Sequence, residues 1–353
     1  MDLDFYRGKR VLVTGHTGFK GSWMCVTLLR AGAEVIGYST CSKPGPRLFD
    51  LCGAEKQITH IKGDVRDLPR LLEVFQAYAP EVVIHMAAQP IVRESYRDPV
   101  GTYSTNVMGT VNVCEAVRQA PSVKSFLNVT TDKVYENREW AWGYRENEPL
   151  DGYDPYSNSK SCSELVTHCY KNSFFTDGRV AVSTARAGNV IGGGDTAKDR
   201  IIPDCVRAAL AGEDIVIRNP GSTRPFQHVL EPVYAYLMIA AKQAEDPRYQ
   251  GWYNVGPDEG DCYTSGALAD LFCRCWGEGL KWISKSDGGP HEANFLKLDC
   301  SKLKTVFGWK PRWKLETAVE KVVEWHKALA AGKDARSVME KQIGEYLEAR
   351  KDG

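Results

Sequence analysis

The sequence of 353 residues lacks the features that mark secreted, membrane-spanning and nucleic-acid-binding chains. No stretch approaches the roughly 18 consecutive apolar residues of a membrane span. The opening sequence MDLDFYRGKR contains acids and no apolar core, so it does not resemble a signal peptide. Lys plus Arg and Asp plus Glu both number 45, so no net charge attracts nucleic acid or an anionic membrane. We therefore expect a soluble, cytoplasmic protein that binds neither.

The sequence also lacks cysteine pairs of the kind that bind zinc. It contains 11 cysteines, an odd number, and no two of them are spaced as CxxC. The closest pair, Cys273 and Cys275, lies in LFCRCWG without a second pair or a nearby histidine. This arrangement does not complete a tetrahedral zinc site. We expect free thiols in a reducing compartment and no bound metal.

Short β-branched runs alternate with helical segments from Lys9 to about Arg186. Near-continuous apolar strands separated by helices predict a parallel sheet that is covered on both faces. The predicted fold class is therefore α/β, with a doubly wound parallel sheet of the Rossmann type and a smaller, discontinuous C-terminal α/β domain. The predicted strands are 11–15, 33–39, 58–64, 81–88, 125–131 and 180–188.

The pattern changes after Asn189, where glycine, proline and arginine become frequent. A helix is predicted at 229–244, and a strand at 251–256 is expected to rejoin the first sheet. The predicted first domain therefore comprises residues 1–188 plus about 226–256. The second comprises about 189–225 plus 257–345.

Three glycines, Gly15, Gly18 and Gly21, are spaced GxxGxxG in VLVTGHTGFKGSW. They lie between the first predicted strand and the first predicted helix. A bound dinucleotide needs a tight turn, a backbone without side chains beside its pyrophosphate, and a helix N-terminus directed at it. The loop therefore predicts that the first domain binds a dinucleotide.

The second predicted strand leaves the identity of that dinucleotide open. Its end, GYSTCSKPGPR, has no acid to hold the ribose 2′-hydroxyl of NAD. Ser39, Thr40 or Arg47 could instead bind a ribose or the 2′-phosphate of NADP. Asp64 ends the third predicted strand and fits two roles equally well. It is either an acceptor for the adenine amino group or the N-cap of the helix LPRLLEV.

Tyr156 and Lys160 in YDPYSNSKSCSELV are separated by one helical turn, which places phenol and ammonium on one face. A nearby ammonium stabilises phenolate and lowers the tyrosine pKa, so the phenol can take a proton from an alcohol. The pair follows a glycine loop and a strand that ends at Thr131. Together these features predict a redox site for secondary alcohols.

Asp132 and Lys133 come directly after that strand, in NVTTDKVY. Adjacent strand residues point to opposite faces, so the two need not form an ion pair. A solvated turn is the simplest interpretation of an isolated Asp-Lys pair.

Taken together, the motifs resemble the extended short-chain dehydrogenase/reductase superfamily over nearly the whole chain. They are TGHTGFKGS, GDVRD, HMAAQ, TNVMGT, YSNSK, ARAGNVIGGGD and FGWKPRW. The segments HTGFKGSW, TDKVYENREWAWGYREN, RPFQHVLEP and HEANFLKLDCSK are similar to the nucleotide-sugar 4,6-dehydratases, in the branch that acts on CDP-glucose. The resemblance implies NAD as a tightly held cofactor and a CDP-linked glucose as the substrate. It also implies a homodimer, with a homotetramer as the larger alternative.

The resemblance assigns catalytic roles by position. Tyr156 and Lys160 match the redox pair, and Thr131 matches the residue that hydrogen-bonds the sugar 4-hydroxyl. Asp132 matches the acid that protonates the departing 6-hydroxyl. Most of these dehydratases have Glu as the C5 base where this chain has Lys133. Lys133 is therefore either that base or a group that stabilises the enolate.

The resemblance also implies two sets of binding residues, with the dinucleotide in the first domain and the nucleotide sugar in the second. The cofactor-binding set is Gly15, Thr17, Gly18, Phe19, Lys20, Gly21, Asp64, Val65, Ala87, Ala88, Gln89, Asn106, Tyr156 and Lys160. The substrate-binding set is Asn189 at the pyrophosphate, Arg224 and His228 in the nucleotide pocket, and Arg200 and Arg218. For Arg200 and Arg218, a phosphate contact and an ordinary surface charge are equally open.

Two other functions share these motifs. A nucleotide-sugar 4-epimerase or reductase needs the redox pair but no acid and base at C5 and C6, so Asp132 and Lys133 argue against it. A non-catalytic NAD(P)-sensing protein needs no activated phenol, so the Tyr156–Lys160 pair argues against that function.

Overall fold

The structure is a computed structural model that describes residues 3–40, 47–285 and 295–349. The chain divides into two compact units, each built from three stretches of sequence. Unit 1 comprises Met1–Glu136, Glu148–Ala187 and Val233–Tyr253. Unit 2 comprises Asn137–Asn147, Gly188–Pro232 and Asn254–Gly353.

The limits of the units differ from the predicted domains, chiefly at Asn137–Asn147. This segment falls within the predicted first domain but belongs to unit 2, as do residues 226–232 and 254–256. The Tyr144 N–H donates to the Lys297 carbonyl at 3.0 Å, and the Asp299 N–H donates to the Tyr144 carbonyl at 2.9 Å. These partners are remote in sequence, so a local pattern does not reveal them.

The structure contains the following strands and helices. The strands are β1 (Arg10–Thr14), β2 (Glu34–Ser39), β3 (Thr59–Lys62), β4 (Val82–His85), β5 (Ser125–Thr131), β6 (Ala181–Ala187), β7 (Val190–Ile191), β8 (Ile215–Ile217), β9 (Thr223–Arg224), β10 (Gln227–His228), β11 (Trp252–Val255), β12 (Tyr263–Thr264) and β13 (Trp282–Ser284). The helices are α1 (Phe19–Arg30), α2 (Leu48–Leu51), α3 (Leu68–Tyr78), α4 (Val92–Arg97), α5 (Pro99–Tyr103), α6 (Gly109–Gln119), α7 (Pro155–Phe174), α8 (Ile201–Ala211), α9 (Leu230–Glu245), α10 (Ser265–Trp276), α11 (Ser301–Phe307), α12 (Leu315–Ala330) and α13 (Ala335–Glu348).

The large sheet has seven strands in the order β11-β6-β5-β4-β1-β2-β3. The pairings among β1 to β6 are all parallel. The predicted doubly wound sheet and its six strands are confirmed, and the seventh strand, predicted at 251–256, joins the sheet beside β6. The strand order reverses at β1, which lies between β2 and β4. In such sheets ligands bind beyond the carboxyl ends of the strands at this point.

A buried apolar cluster joins the sheet of unit 1 to α3 and α6. Its members include Leu12, Val83 and Phe126 from the strands, Leu71 and Phe75 from α3, and Val113 and Val117 from α6. α3 begins where Asp67 accepts a hydrogen bond from the Arg70 N–H at 3.1 Å. The apolar residues of both helices recur at helical spacing, so each helix presents one apolar face to the sheet.

β5 is buried along its whole length because β4 and β6 flank it. Two of its polar side chains form hydrogen bonds with α7. Asn128 Nδ2 donates to Thr167 Oγ1 at 2.8 Å, and Thr130 Oγ1 donates to Glu164 Oε1 at 2.5 Å. Buried polar groups destabilise a fold unless they are paired in this way. The bonds hold α7 against β5.

Unit 2 contains helices and three two-stranded sheets, which pair β7 with β10, β8 with β13, and β9 with β12. Its buried cluster draws on α8, α10 and α12, with Val206, Leu268, Phe272, Val319 and Val322 among its members. α10 begins at Thr264, whose hydroxyl accepts a hydrogen bond from the Ala267 N–H at 3.2 Å. Such capping favours a helix start at this residue.

Across the described ranges 3–40, 47–285 and 295–349, no helix is both long and apolar enough to cross a membrane. The cysteines in these ranges, including Cys273 and Cys275, are free thiols, as predicted. The same ranges contain no group of three or more His, Cys, Asp or Glu side chains placed to hold a metal ion.

Candidate active site

The glycine loop connects β1 to α1, as predicted. Gly15 has a φ of 74°, and a Cβ there would lie 2.8 Å from the Ala87 Cα, so only glycine fits. A Cβ on Gly21 would overlap the Gly15 carbonyl oxygen. At Gly18, the N-cap of α1, the nearest atom to such a Cβ is the Gly15 carbonyl oxygen, at 3.3 Å. Gly15 and Gly21 thus shape the loop, and Gly18 leaves room for a pyrophosphate at the helix N-terminus.

The residues after β4 lie against this loop. Thr14 Oγ1 accepts hydrogen bonds from the N–H groups of Met86 at 3.0 Å and Ala87 at 3.1 Å. These bonds fix the backbone of Ala87 beside Gly15, next to Ala88. Ala87 and Ala88 therefore lie at the edge of the sheet where a dinucleotide is expected.

The backbone of Gln89 forms two hydrogen bonds with the side chain of Asn106. The Gln89 N–H donates to Asn106 Oδ1 at 2.8 Å, and Asn106 Nδ2 donates to the Gln89 carbonyl at 3.1 Å. Asn106 Nδ2 also donates to Ser159 Oγ in α7 at 2.9 Å. Asn106 is part of a π-helical turn, Ser104–Met108, between α5 and α6. π-Turns are frequent at functional sites, and the sequence analysis did not predict this one.

The end of β2 fits NAD better than NADP. Arg47 donates two hydrogen bonds to the carboxylate of Asp50, at 2.8 and 2.7 Å, so its charge is already neutralised. A 2′-phosphate would have to compete with that carboxylate. Thr17 Oγ1 and Ser39 Oγ are 2.8 Å apart and supply neutral hydroxyls, of the kind that can bond a ribose. Residues 41–46 of this segment lie outside the described residues.

Asp64 is not the N-cap of α3, so that alternative is wrong. The cap is Asp67, because α3 begins at Leu68. The Asp64 carboxylate accepts hydrogen bonds from the Arg66 N–H at 2.9 Å and from Arg66 Nε at 3.0 Å, and the Arg66 side chain lowers the pKa of Asp64. Its contact with adenine stays a prediction. Val65, beside it, is buried, and its carbonyl accepts a hydrogen bond from Asn112 Nδ2 at 2.9 Å.

The residues after β5 form a compact turn in which a carboxylic acid is buried. Asp132–Val134 is a single 3₁₀ turn. Thr131 Oγ1 donates to Asp132 Oδ1 at 2.9 Å and accepts a hydrogen bond from the Lys133 N–H at 3.4 Å. Asp132 is 1% exposed and Lys133 is half-buried. The interpretation as a solvated turn is therefore wrong for Asp132, because an acid in such a turn would be exposed to solvent.

α7 carries Tyr156 in its first turn, as predicted. The Asp154 carboxylate caps the helix and accepts hydrogen bonds from the Ser157 N–H at 3.0 Å and the Ser157 hydroxyl at 2.6 Å. The buried Lys160 ammonium donates to the Val129 carbonyl of β5 at 3.1 Å. Burial lowers the pKa of Lys160 to about 8, although Glu164 opposes the shift. The ammonium is therefore still the major form of Lys160 at neutral pH, and it loses its proton more easily than an ordinary lysine.

A buried ion pair links the same helix to β6 and was not foreseen. Glu164 and Arg186 are both fully buried, with Arg186 NH2 2.9 Å from Glu164 Oε2. Arg186 also donates to the Tyr135 hydroxyl at 2.8 Å. Burial alone would raise the pKa of Glu164, but Arg186 and the hydrogen bonds to the carboxylate hold it well below its usual range. The spacing of four residues places Tyr156, Lys160 and Glu164 on one helical face, but it does not indicate the partner in β6.

Unit 2 contains three of the predicted substrate residues, Asn189, Arg224 and His228. The Asn189 carbonyl accepts a hydrogen bond from the Gln227 N–H at 2.9 Å. Arg224 is buried in β9, where its NH1 donates to the Thr223 carbonyl at 2.9 Å. His228 is fully buried, and burial lowers its pKa to about 3, so its ring is neutral. Their roles toward a nucleotide stay predictions.

Arg200 and Arg218 form ion pairs within unit 2. Arg200 NH1 is 3.1 Å from Asp195 Oδ2, and Arg218 NH1 is 2.7 Å from Asp199 Oδ1. A substrate phosphate would have to share each guanidinium with a carboxylate. The phosphate contact predicted for both residues therefore stays a prediction. All five catalytic residues of the prediction lie in unit 1.

Comparisons with known proteins agree with this arrangement. The model of the NAD dependent epimerase/dehydratase family matches residues 11–256. The CDP-glucose 4,6-dehydratase of Salmonella typhimurium strain LT2 is 46% identical, and the match covers 99% of this chain and 99% of that protein.

Solved structures share the fold. The UDP-glucose 4-epimerase of Thermotoga maritima, crystallised with UDP-glucose, matches with a TM-score of 0.80 and 22% identity, over 91% of this chain and 99% of that one. The dTDP-glucose 4,6-dehydratase of Bacillus anthracis str. Ames, in complex with NAD, matches with a TM-score of 0.77 and 22% identity, over 91% and 97%. The family match extends over more than half of the chain, and its description agrees with the fit of the β1–α1 loop. The chain therefore belongs to the NAD dependent epimerase/dehydratase family, and its cofactor is NAD.

Proposed function

We propose that this chain removes water from CDP-D-glucose and forms CDP-4-dehydro-6-deoxy-D-glucose. The main support is the curated CDP-glucose 4,6-dehydratase that is 46% identical to it over 99% of both chains. A match of this length leaves no large insertion or missing domain between the two proteins. The reaction is a lyase reaction with an internal redox step, so no external oxidant or reductant is consumed.

The first step takes place at C4 of the glucose. NAD, when bound, would supply the hydride acceptor for C4 and the hydride donor for C6. Tyr156 takes the proton of the 4-hydroxyl, and the Lys160 ammonium stabilises the phenolate that does so. Thr131 donates or accepts a hydrogen bond at the same hydroxyl. Gly18 and the N-terminus of α1 hold the cofactor pyrophosphate.

The second step is the elimination of water from C5 and C6. The C4 ketone acidifies the C5 proton, which Lys133 removes as the base or helps to remove by stabilising the enolate. Asp132, as a carboxylic acid, gives its proton to the departing 6-hydroxyl. C5 then regains a proton as C6 is reduced.

The observation that favours a dehydratase over an epimerase is the buried carboxyl group of Asp132, hydrogen-bonded to Thr131. A 4-epimerase or reductase has no leaving group to protonate. Burial of a carboxyl group has a free-energy cost, which a site without a use for the acid would not need. An NAD(P) sensor would need neither that acid nor the phenol of Tyr156.

The test is incubation with CDP-glucose, dTDP-glucose and UDP-glucose in parallel, followed by NMR of the sugar. We expect a 4-keto-6-deoxyhexose from CDP-glucose without net accumulation of reduced cofactor, and slower turnover of the other two. A galactose epimer as the product would identify an epimerase instead. A tightly bound but unchanged sugar would identify a sensor.

We also propose that the protein is a homodimer in the cytoplasm. Tyr96, Val100, Met108 and Leu165 are all exposed, and they lie on α4, α5, the π-turn and α7, which pack together in unit 1. A cluster of exposed apolar side chains favours burial against a second copy. The free thiols fit a reducing compartment. Leu165→Glu should give a monomer by sedimentation, whereas Val216→Glu, at an exposed valine of unit 2, should not.

A further inference from the structure

Two adjacent residues of α7 hold the chain on both sides of the turn that follows β5. The Lys160 ammonium donates a hydrogen bond to the Val129 carbonyl at 3.1 Å, within β5. The Ser161 hydroxyl donates to the Val134 carbonyl at 2.7 Å, at the last residue of the 3₁₀ turn. The predicted catalytic residues 131–133 all lie between these two carbonyls. The helix therefore holds this stretch of chain at both of its ends.

The Ser161 side chain is 2% exposed, and its hydroxyl bonds to more than its own helix. A serine within a helix commonly donates to the carbonyl four residues back, which here is that of Ser157, at 3.1 Å. The contact with Val134 is shorter, so the single hydroxyl proton is directed mainly at the turn. The same oxygen accepts a hydrogen bond from the Gly152 N–H at 3.0 Å. One hydroxyl therefore joins α7 both to the turn and to the segment that precedes the helix.

The two ends of the turn are held by different means. The sheet fixes the first end, because Thr131 pairs with Ala187 of β6. The second end lies beyond β5, and the chain leaves unit 1 soon afterwards, after Glu136. Val134 is fully buried, so its carbonyl could not turn to water if the Ser161 hydroxyl were removed. Because an unpaired buried carbonyl is destabilising, the turn would have to move to find it another partner.

The proposed reaction depends on the position of this turn relative to α7. Tyr156, on α7, acts at C4 of the sugar, whereas Asp132 and Lys133, on the turn, act at C6 and C5. Both sets of groups act on one bound sugar, so the distance between helix and turn has to suit neighbouring carbon atoms. Catalytic groups need to be held within about 0.5 Å of their productive positions. A bond that fixes the turn on the helix meets this need.

We propose that Ser161 is a positioning residue for the elimination of water. Its hydroxyl holds the turn of Asp132 and Lys133 against α7, and it acts only through the Val134 carbonyl. Tyr156 belongs to α7 itself, so the oxidation at C4 does not depend on this bond. Loss of the Ser161 hydroxyl therefore separates the two steps, because it displaces the elimination groups and leaves the redox pair in place. The inference rests on the proposed dehydratase function.

The test is Ser161→Ala in the NAD-bound enzyme, mixed with CDP-glucose and followed through a single turnover. The rise in absorbance of the reduced cofactor reports the oxidation at C4 and should keep its wild-type rate. The decay of that absorbance requires the loss of water and should slow on the order of 10²-fold, as expected for slightly misplaced reacting groups. A 4-keto hexose that retains its 6-hydroxyl should therefore accumulate, as measured by mass spectrometry of quenched samples.

The matched control is Ser163→Ala, which removes another buried hydroxyl from α7. Ser163 bonds to Thr110 and Asn128 rather than to the turn, so its loss should not change the ratio of the two rates. Thermal unfolding of both variants measures any general loss of stability.

Equal slowing of oxidation and elimination in Ser161→Ala would overturn the positioning role, and so would wild-type rates for both steps. The same delay of elimination in Ser163→Ala would also overturn it, because the effect would then belong to the helix as a whole. If the unaltered enzyme forms no keto sugar from CDP-glucose, it is the proposed function that fails.

Discussion

Thr131 donates a hydrogen bond of 2.9 Å to the carboxylate of Asp132, the next residue in the chain. The bond joins the residue expected at the sugar 4-hydroxyl to the acid expected at the 6-hydroxyl. Because Asp132 is buried, this bond fixes the orientation of its carboxyl group. We therefore expect one turn to serve both the oxidation at C4 and the loss of water from C6.

Tyr156→Phe should leave the fold intact and abolish the oxidation at C4, because no other group at the proposed site accepts the 4-hydroxyl proton. The loss should be on the order of 10²–10⁴-fold. Single-turnover absorbance of the reduced cofactor after mixing with CDP-glucose measures this step directly. A normal rate in the variant would mean that Tyr156 is not the base.

Asp132→Asn and Lys133→Met should spare oxidation at C4 and block the loss of water, each by on the order of 10²–10⁴-fold. Both variants should accumulate a 4-keto hexose that retains its 6-hydroxyl, as detected by mass spectrometry. Lys133→Met should also prevent deuterium from solvent entering C5, whereas Asp132→Asn should permit some exchange because the base survives.

Rapid C5 exchange in Lys133→Met would assign that lysine to stabilising the enolate rather than to removing the proton. Normal product from both variants would remove both residues from the elimination step altogether.

Gly18→Val should weaken the binding of NAD, because the new side chain would enter the space left for the pyrophosphate at the N-terminus of α1. Calorimetry should show an affinity at least about tenfold lower, a change of roughly 1.4 kcal/mol. Gly260→Val is the control, since a Cβ there meets open space and its φ is not left-handed. Equal affinity in the two variants would contradict the placement of the pyrophosphate.

Lys160→Met should remove a rise in stability that the wild type shows as the pH increases above about 8. Burial lowers the pKa of Lys160 from 10.5 to about 8, so the folded state binds this proton less tightly than the unfolded state. Between pH 8 and 10.5 the wild type should therefore gain stability relative to the variant, by roughly 3 kcal/mol in total. Urea unfolding of both proteins at pH 7.5 and 10 gives this difference.

Tyrosine and cysteine ionisation affects both proteins and cancels in the comparison. Lys242→Met, at an exposed lysine of α9, should show no such gain. If the difference in unfolding free energy between wild type and Lys160→Met is the same at both pH values, burial does not lower the pKa of Lys160.

Local rules made most of unit 1 predictable. The strand 125–131 was predicted with the bounds it has, because an apolar run there ends at two threonines and a turn. The helix that Tyr156 opens was predicted from the spacing of Tyr156 and Lys160, and in the structure Asp154 caps it while Pro155 takes the first helical position. The start of α3 was not predicted correctly, because the sequence analysis considered only Asp64 as a cap, whereas the structure has Asp67, followed by Pro69 in the first turn.

Residues that meet only in three dimensions were beyond the reach of the sequence. Glu164 lies in α7 and Arg186 in β6, and neither segment alone indicates a buried ion pair. No residue pattern is specific for a π-turn, so the sequence around Asn106 did not predict the one found there.

The order of strands in the large sheet constrains how the chain can assemble during translation. β11 borders the outer side of β6, and it emerges from the ribosome only after the stretch Gly188–Pro232 of unit 2. Until then β6, buried along its whole length in the finished fold, presents unpaired backbone N–H and C=O groups at an open edge. Nascent chains halted before Trp252 should therefore associate with one another or recruit chaperones. Supplying the remaining segment as a separate polypeptide should relieve this by fragment complementation.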